Sequence, residues 1–175
     1  MIDIRPVAYK LINRPAFGIA GRQTFITGPD NGQFGRFWDD CRSQGWLNVL
    51  DHLKQMSGSW VGPQTGAAYL GVSRVEQDPT NRAFNYMIAV EMPGDIALAE
   101  FPPLELETYL VPACTWAVFE CHGKPPMSIV AAEMFAFGQW LPSSAYRHAL
   151  APEMEVYPAH GGEDYAEFWL PVEAV

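Results

Sequence analysis

The apolar positions along the chain change period several times, and each change marks an element. Val7 to Thr27 is rich in β-branched and aromatic residues, and Pro6 and Pro15 disfavour helix, so this segment reads as a long strand bent at Pro15. From about Gln33 the spacing becomes helical: Phe34, Phe37, Trp38 and Cys41 fall at i, i+3, i+4 and i+7, with Gly45 placed to end the helix. A second short helix is expected from Trp46 to about Gln55, carried by Leu47, Leu50 and Leu53. The Gly- and Ser-rich stretch Ser57 to Gly66 is expected to be a loop. Ala67–Val75 and Ala83–Met92 then read as the two strands of an antiparallel hairpin, joined through Asp78-Pro79. The proline-punctuated segment Pro93–Pro103 reads as a connector.

Beyond the connector the order returns. Leu106–Cys121 is a second long strand interrupted at Pro112, and Pro126 opens a helix in which Val130, Met134, Phe137 and Leu141 recur until Pro142. Strands follow at Met154–Tyr157 and Tyr165–Val172. The expectation is an α+β domain over residues 1–175, built from two strand-helix-strand-strand units at about 1–95 and 104–175. They would form an antiparallel sheet with helices on one face and a central ligand cleft. Pro15 and Pro112, 97 positions apart, are the corresponding landmarks.

Charge narrows the choice of partner. Twenty acidic against eleven basic residues, a net of -9, leave no basic stretch to track a phosphate backbone, so direct nucleic-acid binding is not expected. The same field favours cations. Cys41, Cys114 and Cys121 have no C-x-x-C spacing and read as core thiols. His148, His160, Glu153, Glu155, Glu163 and Asp164 match no metal-ligand pattern, so neither metal nor cofactor is expected. The N-terminus carries no apolar leader run and no stretch approaches a membrane span, which points to a cytoplasmic protein with no membrane partner.

The last strand supplies the candidate chemistry. Alternation places Tyr165, Glu167, Trp169 and Pro171 on one face and Ala166, Phe168, Leu170 and Val172 on the core face. A carboxylate between two aromatic rings suits a desolvated cation, through ring quadrupoles worth about 0.5–2 kcal/mol each and a charge-assisted contact. Glu155 and Tyr157 repeat the pairing in the preceding strand, and would line the same end of the sheet if the two strands are adjacent. Tyr69, Tyr86, Trp116, Trp140, Tyr146, Trp38 and Trp60 are further candidates for an aromatic wall, each weighed against simple core packing. No G-x-S-x-G, H-E-x-x-H or G-x-x-x-x-G-K-[ST] motif is present.

Several segments in order resemble one known family: Pro15–Gly21, Tyr69-Leu70-Gly71-Val72, Val111–Phe119, Trp140-Leu141-Pro142 and Glu167–Val172. Together they resemble the GyrI-like, AraC-type effector-binding domains, the ligand modules of multidrug-responsive regulators such as BmrR and Rob. The resemblance spans nearly the whole chain. It implies a cleft between two half-domains that takes bulky lipophilic, often cationic compounds against aromatic walls, with a Glu near the C-terminus as counter-charge, matched here by Glu167. The chain starts directly at the first strand and so resembles stand-alone, mobile-cassette-type members without a DNA-binding segment. Two rivals remain open. Some relatives resemble hydrolases of strained cyclopropanoid electrophiles, for which Glu167 or Glu155 would act as base with Tyr157 or Tyr146 as acid; others act on gyrase or a regulator, implying a protein partner or homodimer.

Overall fold

The computed structural model describes residues 4–56, 65, 68–92, 105–158 and 162–175. Among them, nine strands form one antiparallel sheet: β1 (Tyr9–Arg14), β2 (Phe17–Ile26), β3 (Tyr69–Arg74), β4 (Phe84–Met92), β5 (Glu107–Val111), β6 (Cys114–His122), β7 (Tyr146–His148), β8 (Glu153–Tyr157) and β9 (Tyr165–Ala174). Their order is β1-β6-β9-β8-β3-β4-β2-β5, with the short β7 added beside β9. Three helices accompany the sheet: α1 (Gly32–Ser43), α2 (Trp46–Met56) and α3 (Met127–Phe135). The last continues through a π-helical turn, Ala136–Trp140, and a final turn, Leu141–Ser143. No helix of the described residues is long and apolar enough to cross a membrane.

The two long segments are one paired ribbon. β1 pairs with β6 and β2 with β5, and the register carries straight across the bends: Arg14 faces Cys114, and three positions further along each strand Phe17 faces Val111. Proline has no N–H to give a ladder, so Pro15 and Pro112 interrupt the hydrogen bonding at the same height in both strands. Each strand therefore starts in one half and finishes in the other. The halves meet a second time where β3 pairs with β8.

Alternation divides the sheet into two faces. On the helical face Ala20, Tyr86, Ile88 and Val90 pack under α1 and α2, while Ala117, Phe119, Phe168 and Leu170 pack under α3. Gly45 closes α1 with a left-handed backbone (φ 81°) that suits glycine, and Gly45 and Gln44 donate to carbonyls of the last turn. The opposite face gathers Leu70, Val72, Met87, Val118, Met154, Trp116 and Trp169 into a core, both tryptophans fully buried. Long side chains from the two edge strands reach interior strands across this face. Arg74 of β3 stacks 3.5 Å from the centroid of Tyr109 on β5, and Arg14 at the end of β1 reaches Glu91 on β4 at 2.5 Å. Arg14 also donates to Thr65 Oγ1, which in turn donates to Glu91.

Two expectations are corrected, and one strand, β7, was not expected. The inward side of α3 is Ile129, Ala132, Phe135, Ala136 and Trp140, whereas Val130 is exposed. This segment is apolar nearly all round, so several stripes compete, and the π turn rotates everything after Phe135 out of simple helical phase. Strands β8 and β9 are adjacent, but Glu155 faces Phe168 and Val156 faces Glu167, so the two Glu/aromatic pairs lie on opposite faces. Strand β7, only three residues long, carries too little alternation to be read. The connector expected at Pro93–Pro103 lies outside the described residues, as does most of the loop expected at Ser57–Gly66.

Removing the cation from the buried pair tests what holds the bend. Arg14→Met leaves the Glu91 carboxylate, 8% exposed, without its partner and is expected to cost about 3–5 kcal/mol in urea denaturation. The Arg14→Met/Glu91→Leu pair should recover most of that loss.

Candidate functional site

Where β3 meets β8, Gly71 sits directly opposite Glu155 and Tyr69 opposite Tyr157, all four on the helical face. The missing side chain at Gly71 is the structural condition for what surrounds it. A Cβ there would lie 2.3 Å from the Tyr86 hydroxyl and 3.1 Å from the Glu155 carboxyl carbon. The space is filled by a polar relay. Trp38 Nε1 on α1 donates to the Tyr86 hydroxyl at 3.0 Å, and Tyr86 donates to Glu155 Oε2 at 3.2 Å. Tyr157 donates to the other carboxylate oxygen, Oε1. The Trp38 indole also meets the Tyr157 ring edge-on, 5.3 Å between centroids.

Two phenols donating to the two oxygens of one carboxyl group suit the ionised form, which only accepts. Burial works against it and raises the Glu155 pKa, with the Tyr157 and Tyr86 hydroxyls pulling it back down. Glu133 on α3 is pushed up to about 8, mainly by burial and then by the nearby Glu155 and Glu153, with Arg82 opposing. Glu155 makes no ion pair with any described residue. As whole residues, Glu155, Trp38, Tyr69 and Tyr157 are each half-buried.

Next along β8, Glu153 is neutralised. Arg82 reaches both its oxygens at 3.1 Å and His148 Nε2 lies 2.9 Å away, while His148 Nδ1 faces the Ala149 carbonyl at 2.6 Å. Beyond Tyr69 stands Asp51 of α2, which accepts the Tyr69 hydroxyl and lies 3.2 Å from Lys54 Nζ.

The sequence-derived candidates fall into three places. Trp38, Tyr69, Tyr86, Glu155 and Tyr157 meet at the seam. Glu167, Tyr165, Trp169 and Trp116 lie on the opposite face: Glu167 accepts from the Tyr165 hydroxyl at 2.8 Å and Trp169 Nε1 at 3.1 Å, and Trp116 packs on Trp169 at 5.7 Å. A cavity of about 70 Å³ touches Glu167 together with Tyr9, Lys10 and Glu120, room for a few waters at most. Trp140 and Tyr146 stack on each other beside the π turn, 6.0 Å between rings, against Tyr9. Trp60 and His160 lie outside the described residues. Sequence reasoning did not single out Glu133, Asp51, Lys54 or Gly71 as site residues, because their relation to Glu155 arises from pairing and helix placement. Among the described residues no group of three or more His, Cys, Asp or Glu comes together to hold a metal ion.

Residues 10–172 match the family described as integron-associated effector-binding proteins, and the chain belongs to that family. No curated protein matches the sequence. Among solved structures the chain is similar to a bacterial transcription regulation protein from Staphylococcus aureus MU50, at 19% identity and a TM-score of 0.69, over 97% of this chain and 100% of that one. It is also similar to SAV2435 bound to tetraphenylphosphonium, at 21% identity and a TM-score of 0.70, over 95% and 94% of the two chains. A third similar structure is the Vibrio cholerae integron cassette protein VCH_CASS2, at 12% identity and a TM-score of 0.62, over 94% and 95%. These likenesses establish a shared fold.

The glycine carries a prediction. Gly71→Ala should destabilise the protein by about 1–3 kcal/mol in chemical denaturation, as overpacking does. In a Tyr86→Phe background, where the hydroxyl it would strike is gone, the penalty should fall by more than half.

Proposed function

We propose that this effector-binding family member binds a bulky lipophilic cation on the helical face of its sheet, in the seam between α1 and α3. Glu155 is the counter-charge, and Trp38, Tyr69, Tyr86 and Tyr157 form the aromatic wall. The observation that carries the reading is Glu155 itself: a carboxyl group closed in by protein and held by phenol hydroxyls, with no cation paired to it among the described residues. Such a group gains most from an incoming positive charge, since the cost of removing it from water has already been met in folding.

Two further features support it. The tetraphenylphosphonium carried by SAV2435 is a ligand of this class, an onium charge inside an aromatic shell. The alternative acid, Glu167, already accepts from the Tyr165 hydroxyl and the Trp169 indole, and Trp169 is fully buried against Trp116, which leaves that ring no face for a ligand. Binding is favoured over hydrolysis because each oxygen of Glu155 already accepts a phenol, which leaves its basicity poorly directed at a water. A sequestering or sensing module acting on small molecules fits this chemistry.

Isothermal titration with tetraphenylphosphonium tests the assignment. Glu155→Gln should weaken binding by tenfold or more, the loss of about 1.5–3 kcal/mol of charge interaction, while a neutral tetraphenyl analogue is little affected. Glu167→Gln should leave both ligands near their native affinity; the reverse pattern would move the site to the opposite face. Raising the pH through 8 removes the Glu133 proton and adds a negative charge near Glu155, so cation affinity should climb between pH 6 and 9. The Glu133→Gln variant should lose most of that climb.

A further inference from the structure

One cation already occupies an acid-and-aromatic box on this face. Lys54, in the last turn of α2, holds its Nζ 3.8 Å from the centroid of the Tyr69 ring and 3.2 Å from Asp51 Oδ1. Its side chain is only 15% exposed, unusual for a residue whose ammonium ordinarily stays in water. An Asp-Lys pair three apart on a helix is commonplace and weak. What sets this one apart is the third member, supplied by another element: Tyr69 of β3 turns its ring to the ammonium and donates its hydroxyl to the same Asp51.

This box is built like the one at Glu155, with a carboxylate accepting a tyrosine hydroxyl and an aromatic face beside it. The two share a wall. Tyr69 and Tyr157 are direct partners in the β3–β8 ladder, where facing side chains stand about 4.5–5.5 Å apart at Cβ, and the Tyr157 hydroxyl belongs to Glu155. A ligand lying along the seam from Glu155 would meet Tyr69 next.

We propose that Asp51 and the face of Tyr69 form a second cation subsite, filled by the protein's own Lys54, and that this tethered charge restricts the seam to singly charged ligands. The proposal rests on the assignment of Glu155 as the first cation site. A dication would have to displace an ammonium held at very high local concentration by its own chain, and would face its repulsion until it did. Charge selection of this kind works by obstruction of the wrong ligand. With the ammonium removed and its alkyl stem kept, as in Lys54→Met, the second box opens.

The test uses the full chain, tetraphenylphosphonium, alkyltrimethylammonium ions and bis(trimethylammonium)alkanes of graded spacer length, each titrated by calorimetry. The native protein should bind the best bis-cation no more tightly than the matching monocation. In Lys54→Met the best bis-cation should gain at least tenfold, with tetraphenylphosphonium changed by less than twofold, and adding Asp51→Asn should cancel the gain. An equal gain for mono- and dications would mean only a weaker general repulsion, and no gain for either would mean that the box takes no ligand; both results overturn the proposal. A spacer-dependent gain that survives Glu155→Gln keeps the second subsite and removes the first assignment. Failure of every onium ion to bind any variant removes both.

Discussion

The pairing of two bent strands is the constraint on which the molecule depends. β1–β2 and β5–β6 run antiparallel in one register from the Tyr9–Phe119 pair to the Gly21–Glu107 pair, and both are interrupted by proline at the same height. The bend sends each strand from one half of the molecule to the other, so neither half can hold its sheet without a strand begun in its counterpart. That exchange also fixes the outer strands. With β4 laid on β2 and β9 on β6, strands β3 and β8 are left to meet and close the sheet at the seam. The Arg14–Glu91 pair sits beside the bend, with the guanidinium 3.9 Å from the centroid of the Phe17 ring, and ties the corner of the ribbon to β4.

The seam is where near-symmetry becomes useful asymmetry. Two equivalent strands meet there, yet one presents Gly71 and the other Glu155 at the same register position. A side chain on both sides would close the gap; a glycine on both sides would leave it without charge. One of each admits a tyrosine hydroxyl and a carboxylate together, and α1 lays Trp38 over them. Burial raises the pKa of both Glu155 and Glu133, and Glu155 adds to the rise at Glu133, so negative charge here is costly and a cation would favour it. Further along the same row, Asp51 and Tyr69 hold the Lys54 ammonium in the way proposed for Glu155 and Tyr157 with a ligand.

Much of the architecture was legible in the residues. The two proline-interrupted strands, the stripe of α1 with its stop at Gly45, the β3–β4 hairpin and the duplicated order follow from period and punctuation, which are local properties. The stripe of α3 was not, because its sequence is apolar on nearly every side and its π turn breaks the phase. Alternation placed Tyr165, Glu167 and Trp169 on one face of β9, as found. It said nothing about the register of β8 against β9, and that register alone decides that Glu155 faces the helices while Glu167 faces the opposite core. The aromatic and acidic residue types of the candidate site were therefore visible in the sequence, but their grouping was not. Gly71 shows the limit well: in the chain it is a glycine in a strand, and only the approach of Tyr86 and Glu155 gives it a reason.

The proposed cation would lie on the helical face of the sheet, beside Glu155. A crystal structure with tetraphenylarsonium, whose arsenic marks its own position by anomalous scattering, tests this placement most directly. With the cation bound in the seam, an arsenic peak should appear within about 6 Å of the Glu155 carboxylate, among Trp38, Tyr69 and Tyr157, at a cation–π range from the rings. A peak beside Glu167 on the opposite face, with the seam unchanged, would contradict it.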